Sequence, residues 1–506
     1  MTQLAVTSRG RNLALLAALL GWMFDGMEMG LFPLVGKNAL QDLLGSSADK
    51  DTVNRWFGVI LACFLVGAAT GGVLFGWLGD KIGRVRAMTV SVLLYSLCSG
   101  LSAASAEAWQ LGLLRFLGAL GMGGEWALGV ALVMELWPNT SRAWLAGWIG
   151  AFGNFGYLIC GGIAMGLNHT EPGQLPQWLT SVGVPNDWAT ALAAHRNWRL
   201  LMLVGAIPAF MTVLIRILVP ESEKWVKEKE AGRASHWSER DLLGVLVGAA
   251  SALGVIYLWA LPPNDLALPI RVVGSLVGLV VVILGYMYPA RGYLSRSSLP
   301  PEIRAMTLRR MLLAAGISGV PLLGTWAGLM WMYLWVDKLP GGNDPDAKPW
   351  MQITSSIGAA IGCIAAAVFG DYLGRRPVYA ALCILSLVTM VTFYQQGRFY
   401  EGGLPPYGVV FVLFAGFLGL VSAAFYGWLP LYLPELFPTA VRATGQGFGF
   451  NFGRILAAVG QLQMANLLRA FNDDYSQACG IVAGVYVAGV VLILFAPETK
   501  GKPLPE

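Results

Sequence analysis

Charged residues are scarce in this chain of 506 residues. Lys, Arg, Asp and Glu make up 12% of it, whereas 56% is hydrophobic. A soluble domain carries about 25% charged residues, so the composition excludes an ordinary soluble protein and predicts an integral membrane protein. The net charge of +5 comes from basic residues that are scattered along the chain. Without a basic face, the sequence gives no indication of nucleic-acid binding.

Residues for metal, redox or nucleotide chemistry are also few. The six cysteines stand singly, with no CxxC pair and no Cys/His cluster, so neither a disulfide framework nor a zinc site is expected. Three histidines are too few and too dispersed for a catalytic metal. The chain has no Walker-type glycine loop ending in GK[ST], so ATP is not the expected energy source. We expect neither a metal nor a cofactor.

Long apolar runs, by contrast, fill the chain. A membrane helix needs about 20 mostly apolar residues. On that criterion we predict fourteen spans, near residues 12–34, 55–78, 87–105, 109–135, 143–167, 199–219, 242–261, 269–289, 308–335, 350–373, 377–394, 406–433, 441–467 and 476–496. The first run follows two arginines but lacks a small-residue cleavage site, so we interpret it as a membrane helix rather than a signal peptide.

The distribution of Lys and Arg predicts the orientation. With the N-terminus inside, the inner loops hold roughly twice as many Lys and Arg residues as the outer loops, so the positive-inside rule places both termini in the cytoplasm.

Three short patterns occur twice, in the same order, at the predicted inner ends of helices. They are Gly79–Arg84 and Gly370–Arg375, Glu135–Arg142 and Glu435–Arg442, and Pro220–Ser222 and Pro497–Thr499. Three matches in register indicate duplicated halves, an architecture known in transporters. We therefore predict a six-helix bundle over 1–222, a linker with two extra membrane helices over 223–305, and a second six-helix bundle over 306–506.

The stretch Gly76–Arg86 resembles the signature loop of the major facilitator superfamily. The residues of this loop that we select as candidates are Gly76, Asp80, Gly83 and Arg84. The resemblance covers nearly the whole chain and implies an all-α membrane fold. A closer similarity, to the sialate:proton symporters, rests on Leu20–Glu28, Arg115–Trp126 and Pro220–Trp225. Pro434–Arg454 is more similar to general metabolite and aromatic-acid symporters, and Pro497–Gly501 to sugar porters.

Charges inside predicted spans are the candidate functional groups. A charge at the bilayer centre costs roughly 3 kcal/mol, so it should face a cavity or a partner. Asp25 and Glu28 share one face of the first helix. They either carry the coupled proton or serve as structural carboxylates paired to a neighbouring helix. Glu125 is a further candidate for proton coupling or for the inner gate, about 15 Å along the helix from Arg115.

The candidate substrate-binding residues are basic or aromatic. Arg115 either anchors a substrate carboxylate or forms a permanent ion pair, and Arg454 either binds an anion or packs. Trp326, Trp331 and Tyr426 either line a cavity or face lipid. Trp126 is added from the stretch that resembles the sialate:proton symporters. The glycine runs Gly118–Gly124 and Gly445–Gly453 are interpreted as close helix packing rather than nucleotide loops.

The superfamily resemblance also implies charge networks that close an inner gate. The gating candidates are Gly76, Asp80, Gly83, Arg84, Glu135 and Arg142, with Asp371, Gly374, Arg375, Glu435 and Arg442 in the second half. Positive-inside anchoring alone would explain the arginines, but not the repeated acids and glycines.

These observations predict a major facilitator fold in a plasma (inner) membrane, acting as a monomer on a small solute. The favoured function is proton-coupled uptake of an organic anion, for example a sugar acid such as sialate. The alternatives are a neutral-sugar facilitator or symporter and an exporter of drugs or metabolites. A membrane-bound enzyme or receptor is disfavoured because the sequence has no catalytic cluster.

Overall fold

In the computed structural model the described residues are 8–45, 47–136, 142–171, 173–210, 239–296, 300–438, 442–502 and 505. Over these ranges the chain forms helices and no strand. The helices are α1 (Ser8–Leu43), α2 (Lys50–Ile82), α3 (Arg84–Ser102), α4 (Ala108–Leu136), α5 (Arg142–Asn168), α6 (Gln174–Ser181), α7 (Asn186–Val204, broken at residues 194–197), α8 (Glu239–Ala260), α9 (Leu268–Arg296), α10 (Pro301–Leu323), α11 (Met332–Trp335), α12 (Ala347–Leu373), α13 (Arg375–Gln395), α14 (Val409–Ser422), α15 (Phe425–Tyr432), α16 (Arg442–Ala470), α17 (Tyr475–Ala483) and α18 (Val485–Leu494).

Eleven helical segments in the described ranges are long and apolar enough to cross a membrane. The count of fourteen is therefore not confirmed. Two of the three other predicted spans, 109–135 and 199–219, run into residues whose side chains or backbone are not described. The third is α16, a helix of 29 residues. It buries polar side chains, among them Gln446, Asn451 and Gln461, which lower its hydropathy.

The two halves, here residues 8–210 and 300–505, repeat the same helix pairing. In the first, α1 packs on α5 and α2 on α4; in the second, α10 packs on α16 and α12 on α14. Between the halves, α2 packs on α16 and α5 on α12. Each cross-pair thus joins the second helix of one half to the fifth helix of the other, so the contacts between halves are themselves duplicated.

The repeated loop motif has the same backbone conformation in both halves. Gly83, between α2 and α3, has φ +108° and ψ 151°, and Gly374, between α12 and α13, has φ +117° and ψ 156°. A side chain is strongly disfavoured at these angles, so the turn requires glycine. The end of the bundle that carries these two turns is called the motif end below, and the other end the opposite end.

The glycine runs are confirmed as packing residues. A Cβ atom added to Gly123 would lie 1.9 Å from the carbonyl oxygen of Ala68 in α2. One added to Gly453 would lie 2.9 Å from the backbone nitrogen of Gly319 in α10. Such contacts bring helix backbones together as small residues do in membrane proteins.

The two inserted helices form a hairpin against both halves. α8 and α9 pack on each other, α8 also packs on α2, and α9 contacts α10 and α16. The hydroxyl groups of Tyr286 in α9 and Thr70 in α2 are hydrogen-bonded at 2.6 Å. The outer face of α9 exposes apolar side chains such as Leu276 and Val280, as expected for a surface that contacts lipid.

Candidate functional site

A cavity of about 130 Å³ lies between the two halves. Its wall comes from helices of both halves and includes none of the residues described for the inserted hairpin. The polar and aromatic residues that line it are Trp22, Asp25, Phe64, Asn154, Tyr157, Thr325, Trp326, Tyr333, Ser355, Ser356, Tyr426, Phe450 and Arg454. A concave site with a few polar groups on an otherwise apolar wall is typical of small-molecule binding.

The chain that follows α10 is irregular where it meets the cavity. Pro321 lies inside α10, a π-helical turn spans Gly324–Gly328, and a 3₁₀ turn follows at Leu329–Trp331. Widened turns of this kind occur frequently at functional sites because they redirect side chains. Here the turn directs Thr325 into the cavity, where its hydroxyl lies 2.6 Å from that of Tyr426.

The cavity holds one carboxylate and one guanidinium from opposite halves. Asp25 of α1 is 5% exposed and Arg454 of α16 is 6% exposed. Neither has an ion-pair partner among the described residues, and Oδ1 of Asp25 has no hydrogen bond there. Arg454 donates to the Ala68 carbonyl at 3.2 Å and to Asn451 Oδ1 at 3.1 Å. Arg454 also interacts electrostatically with Asp25, but no direct ion-pair contact joins the two.

Arg115, in contrast, is part of a closed ion pair. Its Nη1 atom contacts Oε1 of Glu28, and its Nη2 atom donates to the Glu28 carbonyl oxygen at 3.0 Å. The guanidinium also lies over the Phe64 ring, 4.9 Å from its centroid. Both side chains of the pair are 2% exposed, and neither residue lines the cavity. This geometry matches the structural alternative for Arg115 and Glu28.

Glu125 lies beside Asp25 rather than beside Arg115. Its Oε1 atom occupies the place that a Cβ atom on Gly21 would take, one helical turn before Asp25. Glu125 is 1% exposed, and neither carboxylate oxygen has a hydrogen bond among the described residues. Glu125, Asp25 and Glu28 therefore form a line of buried acids along α1.

The sequence analysis missed Tyr95 and several polar residues of the cavity wall. The Tyr95 hydroxyl is buried without a described hydrogen-bond partner and interacts electrostatically with all three acids of the α1 line. Asn154, Tyr157, Thr325, Tyr333, Ser355 and Ser356 line the cavity. Isolated hydroxyl and amide groups occur in most membrane helices, so the sequence carries no signal that separates these residues from packing residues.

The aromatic candidates occupy different places. Trp326 and Tyr426 line the cavity, and Trp331 does not. The Trp331 ring is fully buried, its Nε1 atom donates to Gln461 Oε1 at 2.9 Å, and it packs edge-on against Phe57. The side chain of Trp126 lies outside the described residues.

Three of the five gating candidates of the second half, Asp371, Arg375 and Glu435, form one hydrogen-bonded cluster at the motif end. Arg375 donates from Nε and Nη2 to the two oxygens of Glu435, at 2.9 and 2.7 Å, and from Nη1 to Asp371 at 3.0 Å. The Thr499 hydroxyl donates to Glu435 at 2.6 Å. A bidentate, buried arginine–carboxylate pair is among the strongest polar contacts in proteins.

Glu498 ties the C-terminal segment to the same cluster. It accepts the backbone N–H groups of Arg375 and Arg376, each at 3.0 Å. Partial burial pushes the pKa of Glu498 upward, but these and two further backbone N–H groups outweigh it and hold the pKa below its ordinary value. The carboxylate is thus a fixed acceptor that joins the α12–α13 turn to the end of the chain.

The remaining gating candidates are only partly described. Gly76 has open space around its Cα atom. Arg442 donates to the carbonyl oxygens of Pro434 at 3.2 Å and Pro505 at 2.7 Å. The side chains of Asp80, Arg84, Glu135 and Arg142 lie outside the described residues, as does the repeat at 220–222.

The described ion pairs between the two halves lie at the opposite end. They join Lys37 to Asp337 at 2.8 Å, Arg469 to Asp51 at 2.9 Å, and His169 to Asp346 at 3.4 Å. The sequence analysis did not single out these residues, because each follows or precedes a span like an ordinary loop charge.

Comparisons with known proteins agree with the fold. Residues 13–254 match the family model of sugar (and other) transporters. The chain is 25% identical to a putative metabolite transport protein of Haemophilus influenzae, over 97% of each chain. It is 24% identical to the cis,cis-muconate transport protein of Acinetobacter baylyi, over 97% of this chain and 96% of that one.

Among solved structures, the proton:xylose symporter XylE of Escherichia coli matches with a TM-score of 0.66 and 17% identity, over 98% of this chain and 97% of that one. The fold is thus an all-helical fold like that of XylE, and the family model that matches residues 13–254 is one of transporters. The sialate subgroup is not specifically supported. The sialic acid transporter NanX of Escherichia coli is 26% identical but aligns with only 44% of this chain.

Proposed function

We propose that the protein takes up a small organic anion together with protons, by alternating access of the central cavity to the two sides of the membrane. The observation that carries the proposal is the presence of Asp25 and Arg454 in one buried cavity, contributed by opposite halves and without a direct ion-pair contact between them.

Arg454 provides the argument for an anionic solute. A guanidinium group keeps its proton at any physiological pH, so burial cannot neutralise it. An unneutralised charge at membrane depth is costly unless a partner arrives. A solute carboxylate would fit, because it can accept two parallel N–H bonds from arginine. The rest of the solute would contact the polar and aromatic groups of the cavity wall, which include the hydroxyl groups of Tyr157, Tyr333 and Tyr426 and the indole of Trp326.

The line of acids provides the argument for proton coupling. Asp25 lines the cavity, and Glu125 lies one turn away without a described hydrogen-bond partner. Two neighbouring carboxylates repel each other when both are ionised, so they can share one proton and transfer it between them. Glu28 is held by Arg115 and takes a structural part instead.

The names of the relatives favour a carboxylate. One is a cis,cis-muconate transport protein and another a probable 4-methylmuconolactone transporter, while the solved relative XylE is a proton:xylose symporter. We therefore place the substrate among organic acids of one or two carboxylates, with sugar acids such as sialate included. The second candidate is a neutral sugar, which the hydroxyl and indole groups of the cavity wall also suit.

The orientation completes the proposal. The motif end would lie in the cytoplasm, as the Lys and Arg distribution predicts, and the opposite end would face outward. The ion pairs between the halves then close the outer side. We propose a monomer in the plasma (inner) membrane.

Uptake into proteoliposomes tests the proposal. The purified protein is reconstituted and given radiolabelled cis,cis-muconate, sialic acid or xylose, with and without an inward proton gradient. Gradient-dependent accumulation of either acid supports the proposal. Accumulation of xylose alone would assign the cavity to a neutral sugar. Acid uptake at the same rate with and without the gradient would reject proton coupling.

A further inference from the structure

A second cavity lies at the opposite end, between the two halves. Its volume is about 210 Å³. The charged residues in its wall are Lys37, Lys50, Asp337, Lys338 and Asp473. The proposed function leaves this cavity without a role.

Positive charge exceeds negative charge around this cavity. Asp337 is shared between Lys37, at 2.8 Å, and Lys348, at 2.9 Å. The Asp337 and Lys348 side chains are only 13% and 8% exposed. One carboxylate therefore serves two ammonium groups in a place that water solvates poorly, which leaves a surplus cation at an energetic cost.

The other side of the wall adds to the surplus. Asp473 is paired with Lys338 and also accepts from Asn54 at 3.4 Å. Lys50 has no ion-pair partner among the described residues, and its neighbour Asp51 is bound by Arg469. Four lysines thus stand against two aspartates.

Closure of the outer side alone does not explain this arrangement. A single Lys37–Asp337 pair would join the halves equally well. The surplus of lysine, and the open volume that Lys37, Lys50 and Lys338 line, favour a site that an anion enters.

We propose that this cavity is an entry site for anions, at which Lys37 and Lys338 exchange their aspartates for the carboxylate of the incoming solute. The exchange is inexpensive because Lys348 still neutralises Asp337 when Lys37 leaves, and Asn54 still donates to Asp473 when Lys338 leaves. Since the Lys37–Asp337 pair joins the two halves, binding of the anion also loosens the outer closure. The proposal rests on the proposed function for the identity of the solute as an organic anion.

The test uses a reporter cysteine at Gln41, an exposed residue of the same wall. Gln41→Cys is reacted with two methanethiosulfonates of similar size, the anionic sulfonatoethyl and the cationic trimethylammonioethyl reagent. The parent protein, which keeps its six native cysteines, gives the background. A wider opening speeds both reagents alike, so the ratio of their rates reports the local potential.

Three charge changes in the Gln41→Cys protein separate binding from closure. Lys37→Gln and Asp337→Asn break the same bridge but change the charge in opposite directions. Arg469→Gln, the matched control, removes a positive charge and an inter-half bridge outside the cavity wall. We expect the anionic-to-cationic rate ratio to fall about threefold with Lys37→Gln, to rise with Asp337→Asn, and to change little with Arg469→Gln.

Protection by cis,cis-muconate completes the test. It should slow modification of Gln41→Cys in the otherwise unchanged protein and with Asp337→Asn, and fail to do so with Lys37→Gln plus Lys338→Gln. Any of three results would overturn the entry site. The rate ratio could change equally in Lys37→Gln and Asp337→Asn, or it could fall in Arg469→Gln as much as in Lys37→Gln. The third such result is that muconate gives no protection. Protection without any muconate transport would leave the entry site standing and reject the proposed function.

Discussion

The two halves share a scaffold but differ in the charges they bring to the membrane core. The first half carries Asp25, Glu28 and Glu125 in the middle of its helices, together with Arg115. The second half brings Arg454 with hydroxyl and aromatic side chains to the cavity. Its buried acid in the described spans, Glu435, lies at the motif end. The two halves thus share one framework but line the cavity differently, with a buried acid from the first half and a buried arginine from the second.

The shared features are those that the framework needs. Gly83 and Gly374 adopt the same left-handed turn, and the second helix of each half packs on the fifth helix of the other. Such positions tolerate little change because a side chain or a gap would separate helix backbones. Residues that face the cavity are free of this packing constraint. Substitutions there can therefore test how the two halves differ.

Asp25→Asn should have the largest effect on the first half's role. Asparagine keeps the size and hydrogen-bonding capacity of the side chain but cannot release a proton. We expect proton-driven accumulation of cis,cis-muconate in proteoliposomes to fall at least tenfold, while exchange of internal for external solute continues. Asp187→Asn, an exposed change in the first turn of α7, is the control and should behave like the parent. Undiminished accumulation by Asp25→Asn would move the proton site to Glu125.

Arg454→Gln should produce the matching loss in the second half. Because glutamine cannot neutralise a carboxylate, we expect KM for the acid to rise about tenfold or more, with little change in proton coupling. Uptake measured over a range of concentrations separates KM from the maximal rate. An unchanged KM would favour the neutral-sugar candidate.

Arg115→Gln should act on folding rather than on solute binding. It leaves the buried Glu28 carboxylate without its partner, and loss of one member of a buried pair costs about 3 kcal/mol or more. We expect less folded protein, by size-exclusion chromatography and thermal melting in detergent. Adding Glu28→Gln should restore much of it, since the double variant removes both charges of this buried pair. A large rise in KM with normal stability would instead indicate that Arg115 binds the solute.

The sequence predicted the fold better than the site, for physical reasons. Apolar runs and repeated glycine turns report directly on the presence of helices and on backbone shape, and the run at 441–467 is helical in α16 although buried amides lower its hydropathy. Asp25, Arg454, Trp326 and Tyr426 line the central cavity, and their roles there stay predictions. Arg115 was not separable from them, because a paired and an unpaired arginine look alike in a sequence. The charges that join the halves come from residues hundreds of positions apart, such as Lys37 and Asp337, so their pairing has no local signal.

Glu435→Gln should impair transport more than Asp371→Asn, although both acids bind Arg375. Glu435 is 3% exposed and accepts two bonds from Arg375 and one from Thr499, whereas Asp371 is 60% exposed and accepts one. An exposed pair contributes at most about 1 kcal/mol. We expect a severalfold lower initial rate for Glu435→Gln and a change within about twofold for Asp371→Asn, at matched protein amounts. Equal losses would mean that the two acids act as one gating unit.

The smallest effect is expected from His169, which joins the halves through Asp346 at the opposite end. The Met165 carbonyl and the Asp346 carboxylate raise the pKa of the imidazole above its ordinary value of 6.5. A raised pKa means that the contact is fully formed below the ordinary value and is lost as the pH rises through the raised one. Acid conditions should therefore favour closure of this end.

Because the ring is exposed, the gain is small. We expect the rate at which a neutral maleimide modifies Gln41→Cys, divided by the thiolate fraction at each pH, to fall by less than about twofold from pH 8 to pH 6. His169→Gln should flatten that slope, and His195→Gln, whose partner Asp42 lies in the same half, should leave it unchanged. A slope that survives His169→Gln would assign the pH dependence of this end to another group.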